Sequence, residues 1–230
     1  MIINSYKYHA PHLDTAAVWL NLDPTNRDLT GGASTIENWR NALDTSDNFT
    51  NSNTARRPTD SNTHITFDGG DFMECSDRTF DTSATGWTII MRYTESNWSD
   101  NSALVGDDNS NNYFIKNVGD KITVKMHNGS GVQSKDITFD TPADLVDSTI
   151  YTIAVTCDTS ARTTVYIDAV AQTDVEVFGS TAYDMVVGQI GAKNGAVWMV
   201  DGTMQEVLMW AAPLSSTQVL DVHTYLINKF

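Results

Sequence analysis

Cleaving a glycosidic bond needs two carboxyl groups within reach of one oxygen, one as acid and the other as nucleophile or base, so the glutamates are the first residues to place. Glu37, Glu74, Glu95, Glu176 and Glu206 are scattered along the chain. Asp201 and Glu206 come nearest to a pair, but their spacing puts them on opposite faces of an extended strand. His9, His12, His64, His127 and His223 form neither a helical zinc motif nor a nucleophile–base pattern, and there is no phosphate-cradling loop or dinucleotide fingerprint. The chain therefore reads as non-catalytic and without a cofactor.

Binding chemistry is better represented. Sugars are held by an aromatic face combined with short polar side chains. Trp98 stands in the polar run Ser96-Asn97-Trp98-Ser99-Asp100-Asn101, which makes it the expected stacking residue, with Asn97, Asn101 and Tyr113 as its companions. Trp87, Trp198 and Trp210 have apolar neighbours and are expected in the core. Asp107-Asp108-Asn109-Ser110-Asn111-Asn112 places oxygen ligands at alternate positions, as calcium loops do. An EF-hand is excluded, because Asn112 occupies the place of its glycine and Val118 the place of its bidentate glutamate. Asp107 and Asp108 are instead the expected donors of a looser calcium site on sandwich loops.

The charge balance narrows the partners. With 29 Asp and Glu against 14 Lys and Arg, the formal net charge of -15 repels phosphate backbones and anionic membrane surfaces. Nucleic acid and membrane insertion are therefore excluded as expectations. The segment Met1 to Lys7 lacks a basic region followed by an apolar core, so synthesis without export is expected. Cys75 and Cys157 read as small buried apolar residues.

Strands must position these residues. In Trp87 to Tyr93 the odd positions Trp87, Ile89, Met91 and Tyr93 share an apolar face. Ile122, Val124 and Met126 alternate with Lys121, Thr123 and Lys125, and Tyr151, Ile153, Val155 and Cys157 alternate with Thr152 and Thr156. Polar turn clusters separate such runs, which predicts an all-β antiparallel sandwich or barrel. Residues 23–62 show weak periodicity, with one strand expected before them in Ala16 to Leu22. Ser215 and Gln218 form a capping box, followed by Val219, Val222, Leu226 and Phe230 at helical spacing. This C-terminal helix is expected to cover an end or edge of the sheets. Residues 1–15 are read as an N-terminal arm and 16–230 as the domain.

In this order the landmarks resemble the concanavalin A-like lectin/glucanase superfamily, in its laminin-G-like branch. The resemblance is carried by Val18-Trp19-Leu20-Asn21-Leu22-Asp23, by Trp39-Arg40 with Arg57-Pro58-Thr59, and by Ile65-Thr66-Phe67-Asp68-Gly69-Gly70-Asp71-Phe72-Met73-Glu74. Thr164-Val165-Tyr166-Ile167-Asp168 and the run from Asp201 to Trp210 leading into Pro213-Leu214-Ser215 complete it. It implies a jelly-roll sandwich of two antiparallel sheets. The Glu-x-Asp-x-x-Glu strand motif of the glucanase members is absent, and Ala169 replaces the glycine the family usually has after Asp168, which disfavours a left-handed turn there.

The expected function is that of a non-catalytic virion surface protein of a tailed bacteriophage, as capsid decoration or tail appendage, carrying a lectin-like domain for cell-surface glycans. Tyr6, Tyr8, His9 and His12 in the arm are the expected contacts to capsid or tail proteins, in a homo-oligomer or larger assembly. Two other readings stay open at this point: an extracellular carbohydrate-binding or adhesin module of a secreted protein, and a glycoside hydrolase.

Overall fold

The structure, a computed structural model, describes residues 12–29, 34–44, 46–98, 101–107, 114–128, 131–140, 145–194 and 198–230. In chain order the strands are β1 (Val18–Leu20), β2 (Arg27–Leu29), β3 (Ile36–Trp39), β4 (Phe49–Thr50), β5 (Thr59–Asp60), β6 (Ile65–Asp68), β7 (Met73–Phe80), β8 (Trp87–Glu95) and β9 (Asn101–Gly106). They continue as β10 (Phe114–Val118), β11 (Lys121–His127), β12 (Val132–Thr138), β13 (Tyr151–Cys157), β14 (Arg162–Ile167), β15 (Val170–Ala171), β16 (Glu176–Val177), β17 (Met185–Ile190) and β18 (Asp201–Trp210). Helix α1 (Ser216–Lys229) closes the chain.

These strands form two antiparallel sheets of nine strands each, the expected jelly-roll sandwich. The first runs β15-β14-β13-β8-β18-β6-β5, with β1 also on β18 and β16 also on β14; the second runs β12-β11-β10-β9-β17-β7-β4-β3-β2. The alternating faces read from the sequence point between the sheets. Trp87, Ile89, Met91 and Tyr93 meet Ile122, Val124 and Met126 and also Ile153, Val155 and Cys157 in one buried core. Burying that apolar surface drives the assembly of the two layers.

Four features differ from expectation. Helix α1 does not cap an edge. Val219, Val222, Tyr225 and Leu226 pack on Ile90, Ala154, Tyr166, Leu208 and Trp210, which lie on the outer face of the first sheet. The reason lies in those strands, whose outward positions are apolar enough to need a second cover. Phe230, expected on the apolar stripe, is exposed, and Tyr225 takes part in its stead. Second, Phe67 to Phe72, which reads as two short strands around a tight turn, does not pair those strands with each other. β6 belongs to the first sheet and β7 to the second, so the turn at Gly69 (φ 79°) carries the chain across the sandwich. Third, Asp168 (φ 47°) and Ala169 (φ 66°) both adopt the left-handed conformation between the paired residues Ile167 and Val170. The tight hairpin geometry thus persists without glycine, because two-residue turns that fit strand twist require positive φ. Fourth, a bulge at Gln205 shifts the β18 register between Met204 and Glu206. The extra residue reverses the facing of the strand's two halves, so Asp201 and Glu206 share the outer face after all. They stay far apart along it: Glu206 is buried beneath α1, whereas Asp201 is exposed.

Residues 23–62 are more ordered than their sequence suggests. β2, β3 and β4 extend the second sheet beside β7, and β5 pairs with β6. Leu13, just inside the expected arm, is already buried in the outer cluster with α1.

Candidate binding face

The outer face of the second sheet holds the arrangement best suited to a ligand. Strand register places its side chains in rows: Phe114 opposite Gly106 and Lys125, Lys116 opposite Ala103 and Thr123, and Val118 opposite Asn101 and Lys121. Ile115, Ile122 and Val124 alternate with them and fill the core. Gly106 permits the next layer, since a Cβ there would come 2.8 Å from the Ala192 carbonyl oxygen and 2.9 Å from the Lys193 Cβ. Ala192 and Lys193 can therefore lie against β9, and Trp198 accepts a backbone hydrogen bond from Ala103 N of the same strand at 2.6 Å.

This brings the Trp198 ring edge-to-face with Phe114, with centroids 5.2 Å apart and an interplanar angle of 81°. Three ammonium groups surround the pair. Lys116 Nζ and Lys193 Nζ lie 4.0 and 4.6 Å from the Trp198 centroid, and Lys125 Nζ lies 5.6 Å from that of Phe114. Such distances are within cation–π range. Burial, with a further contribution from Lys125 and Lys116, pushes the Lys193 ammonium below the usual lysine range, although Asp107 opposes this. Burial likewise lowers Lys116, whose Nζ donates to Asn101 Oδ1 at 3.0 Å.

Trp198 is 37% exposed and adopts φ 54°, so its expected place in the core is corrected. A left-handed backbone is uncommon for a bulky side chain and occurs where surrounding structure enforces it, often at binding sites. Trp87 and Trp210 are in the core as read.

Trp98 is the reverse case. It is 3% exposed and packs edge-on against Tyr93 and Tyr151, with centroids 5.0 and 5.6 Å away. Its backbone nitrogen donates to Asp147 Oδ1 at 2.9 Å and its carbonyl accepts from Asn117 Nδ2 at 2.8 Å. Trp98 as a stacking platform is therefore corrected: both tyrosines close over the ring, and no face reaches solvent. Of its expected companions, Asn101 is exposed beside Lys116 on the Trp198 face, and Asn97 is half-buried. Tyr113 lies outside the described residues.

Asp107 is buried at the end of β9, where its carbonyl accepts from Asn194 N at 2.9 Å and its charge acts on Lys193; Asp108 lies outside the described residues. Among the described residues no group of three or more metal-ligating side chains comes together. In the arm, Tyr6, Tyr8 and His9 lie outside the described residues. The His12 carbonyl accepts from Trp210 Nε1 at 3.0 Å, and its Nδ1 lies 3.3 Å from Gln218 Nε2, which ties His12 to the helix start.

A cavity of about 360 Å³ lies beside the ends of β12 and β14, lined by Phe139, Leu145, Tyr151, Ile167 and Val170 together with Asp140 and Asp168. Both carboxylates already accept backbone hydrogen bonds: Asp140 from Thr173 N at 2.9 Å and Asp168 from Thr152 N at 2.8 Å. Asp174 and Glu176 stand two residues apart, a spacing that the reading of isolated glutamates missed. They too serve structure, Asp174 accepting from Thr138 N at 2.7 Å and Glu176 pairing with Lys135 at 2.9 Å. No helix among the described residues is long and apolar enough to cross a membrane.

A family model described as Laminin_G_3, of the concanavalin A-like lectin/glucanases superfamily, matches residues 67–220. Among solved structures, the binding domain of Paraclostridial Mosquitocidal Protein 1 is similar, at TM-score 0.64 and 12% identity, over 94% of this chain and 53% of that one. A Trypanosoma rangeli sialidase is similar at TM-score 0.59 and 11% identity, over 91% of this chain and 32% of that one. The carbohydrate-binding module CBM40 of a Ruminococcus gnavus sialidase is similar at TM-score 0.48 and 14% identity, over 66% of this chain and 95% of that one. This chain thus spans about half of the binding domain's chain and about a third of the T. rangeli sialidase's. No curated protein matches.

Proposed function

Because the chain belongs to the concanavalin A-like lectin/glucanase superfamily, we propose that it is a non-catalytic glycan-binding domain displayed on the surface of a tailed-bacteriophage virion. The observation that carries the binding reading is the half-open Trp198 ring, standing on a sheet face lined by Asn101, Thr123 and lysines. An aromatic plane beside short polar and charged groups is what sugar rings and their hydroxyls require. The fold alone is neutral, since a binding domain and a sialidase share it, and so the site has to decide. The virion setting is an analogy to appendage domains that make weak, multivalent contacts from an assembled particle. Gene neighbours encoding capsid and portal proteins test that setting.

A saccharide array with and without chelator, run beside an assay for reducing-sugar release, tests the function. Expected are retention of saccharides, no release of reducing ends, and binding unchanged by chelator, because lysines rather than a metal supply the positive charge of the face. One specific observation favours hydrolysis as a second reading: Asp140 and Asp168 line one cavity. Sugar release abolished by Asp140→Asn or Asp168→Asn would establish it and displace the first.

A further inference from the structure

We propose that the Trp198 face selects anionic saccharides, those carrying a carboxylate or sulfate, through Lys116, Lys125 and Lys193; this rests on the glycan-binding reading above. The chain carries 14 basic residues against 29 acidic ones, so three lysines gathered around one aromatic pair run against its overall charge. Their ammonium groups lie between 4.0 and 5.9 Å from the ring centroids of Phe114 and Trp198. Lys125 and Lys116 act on Lys193 as like charges, and Lys193 is only 6% exposed, so the cluster favours an anionic partner.

Two neighbouring acids oppose this. Asp107 acts on Lys193 and Asp136 on Lys116, but Asp136 is also engaged by Lys121, at 2.6 Å, and by the Thr123 hydroxyl at 2.7 Å. An anionic group arriving beside the Trp198 ring would relieve the repulsion while the sugar plane covers the indole. Lysine suits this role, since its three donors can rotate to meet an anion at different orientations. The surrounding negative charge of the protein would keep polyanions without a stacking ring from competing, because they gain the lysines but meet the general repulsion.

Calorimetric titration with galactotriose, trigalacturonate and sulfated galactotriose, matched in length, tests the inference within a broader acidic and neutral array. Expected is binding of at least one anionic form about tenfold or more tighter than the neutral form, weakening severalfold as salt rises from 20 to ~300 mM. Lys116→Gln with Lys125→Gln is expected to remove most of that preference, weakening anionic binding severalfold more than neutral binding. Lys135→Gln, the same change in charge per residue on the edge strand β12, is expected to leave it intact. Trp198→Ala is expected to abolish binding of both classes, with an unchanged circular dichroism spectrum excluding misfolding. Equal binding of neutral and anionic members, or lysine variants without effect, overturns the inference and leaves the glycan reading standing. An array with no bound saccharide removes both.

Discussion

Gly202→Ala is expected to unfold the domain or to cost at least about 4 kcal/mol. Gly202 sits in β18, with Glu95 of β8 on one side and Phe67 of β6 on the other. A Cβ at this position would stand 2.0 Å from the Thr94 carbonyl oxygen and 3.0 Å from the Glu95 Cα. These are backbone atoms of a central strand, so no rotamer change relieves the overlap. β8 and β18 would have to separate where Ser102 Oγ donates to the buried Glu95 carboxylate at 2.5 Å. For a chain of this size the melting temperature should fall by at least ~8 °C. Gly131→Ala is the matched control, as nothing lies within 4 Å of its added Cβ, and it should change stability by less than about 1 kcal/mol. A Gly202→Ala protein within 1 kcal/mol of its parent in urea denaturation would show that this packing is wrong.

The second large effect concerns the seam between α1 and the first sheet. Glu206 is fully buried there, its carboxylate paired with Lys229 and accepting from Trp19 Nε1 at 3.1 Å. Burial pushes the Glu206 carboxyl above the usual range, and Lys229 and Trp19 only partly bring it back. Lys229→Met leaves a buried carboxylate with one hydrogen bond and is expected to cost on the order of 3 kcal/mol at neutral pH. The pH dependence has a definite sign. An acid whose folded pKa is raised binds its proton more tightly when folded, so its ionisation costs no stability below the unfolded value of about 4.3. That cost grows as pH rises through the raised folded value. Without Lys229 the folded value rises further, so the deficit of Lys229→Met should be small at pH 5 and larger at pH 8. Adding Glu206→Leu should recover at least half of it, because no charge is then left buried. A deficit equal at both pH values, or one the double variant fails to relieve, would mean that the pair does not hold the helix to the sheet.

Long alternating runs made the core readable in advance. Trp87 to Tyr93, Lys121 to Met126 and Tyr151 to Cys157 are long enough for period two to stand out, and their inward residues are those that meet between the sheets. The capping box of α1 was equally plain, because it depends on residues three apart. β2 to β5 were hidden in a polar stretch, since strands of two to four residues give no period and hold their place only by pairing with neighbours distant in sequence. The facing of Asp201 and Glu206 was misjudged for a related reason, as the bulge at Gln205 leaves no mark in the sequence.

The candidate site was the least legible part. Trp98 has polar neighbours along the chain, yet Tyr151, far away in sequence, completes its burial. Trp198 follows the apolar residues Ala196 and Val197, yet its carbonyl accepts from Ala103 N of β9 and its ring meets Phe114 on the outer face. Local composition reports the chain's immediate surroundings, whereas exposure of an aromatic ring depends on which strands lie beneath it. The one visible hint was the alternation of Lys116 and Lys125 with apolar residues on β10 and β11, which places both on one outward face.

The most direct test replaces the six tryptophans with 5-fluorotryptophan and follows their fluorine resonances during titration with the saccharides that the array selects. Expected is a saturable shift of the Trp198 resonance, assigned by its loss in Trp198→Phe, while the buried Trp39, Trp87, Trp98 and Trp210 hold their positions. A shift centred on Trp98, or an unmoved Trp198 under saturating saccharide, would contradict recognition through the outer face of the second sheet.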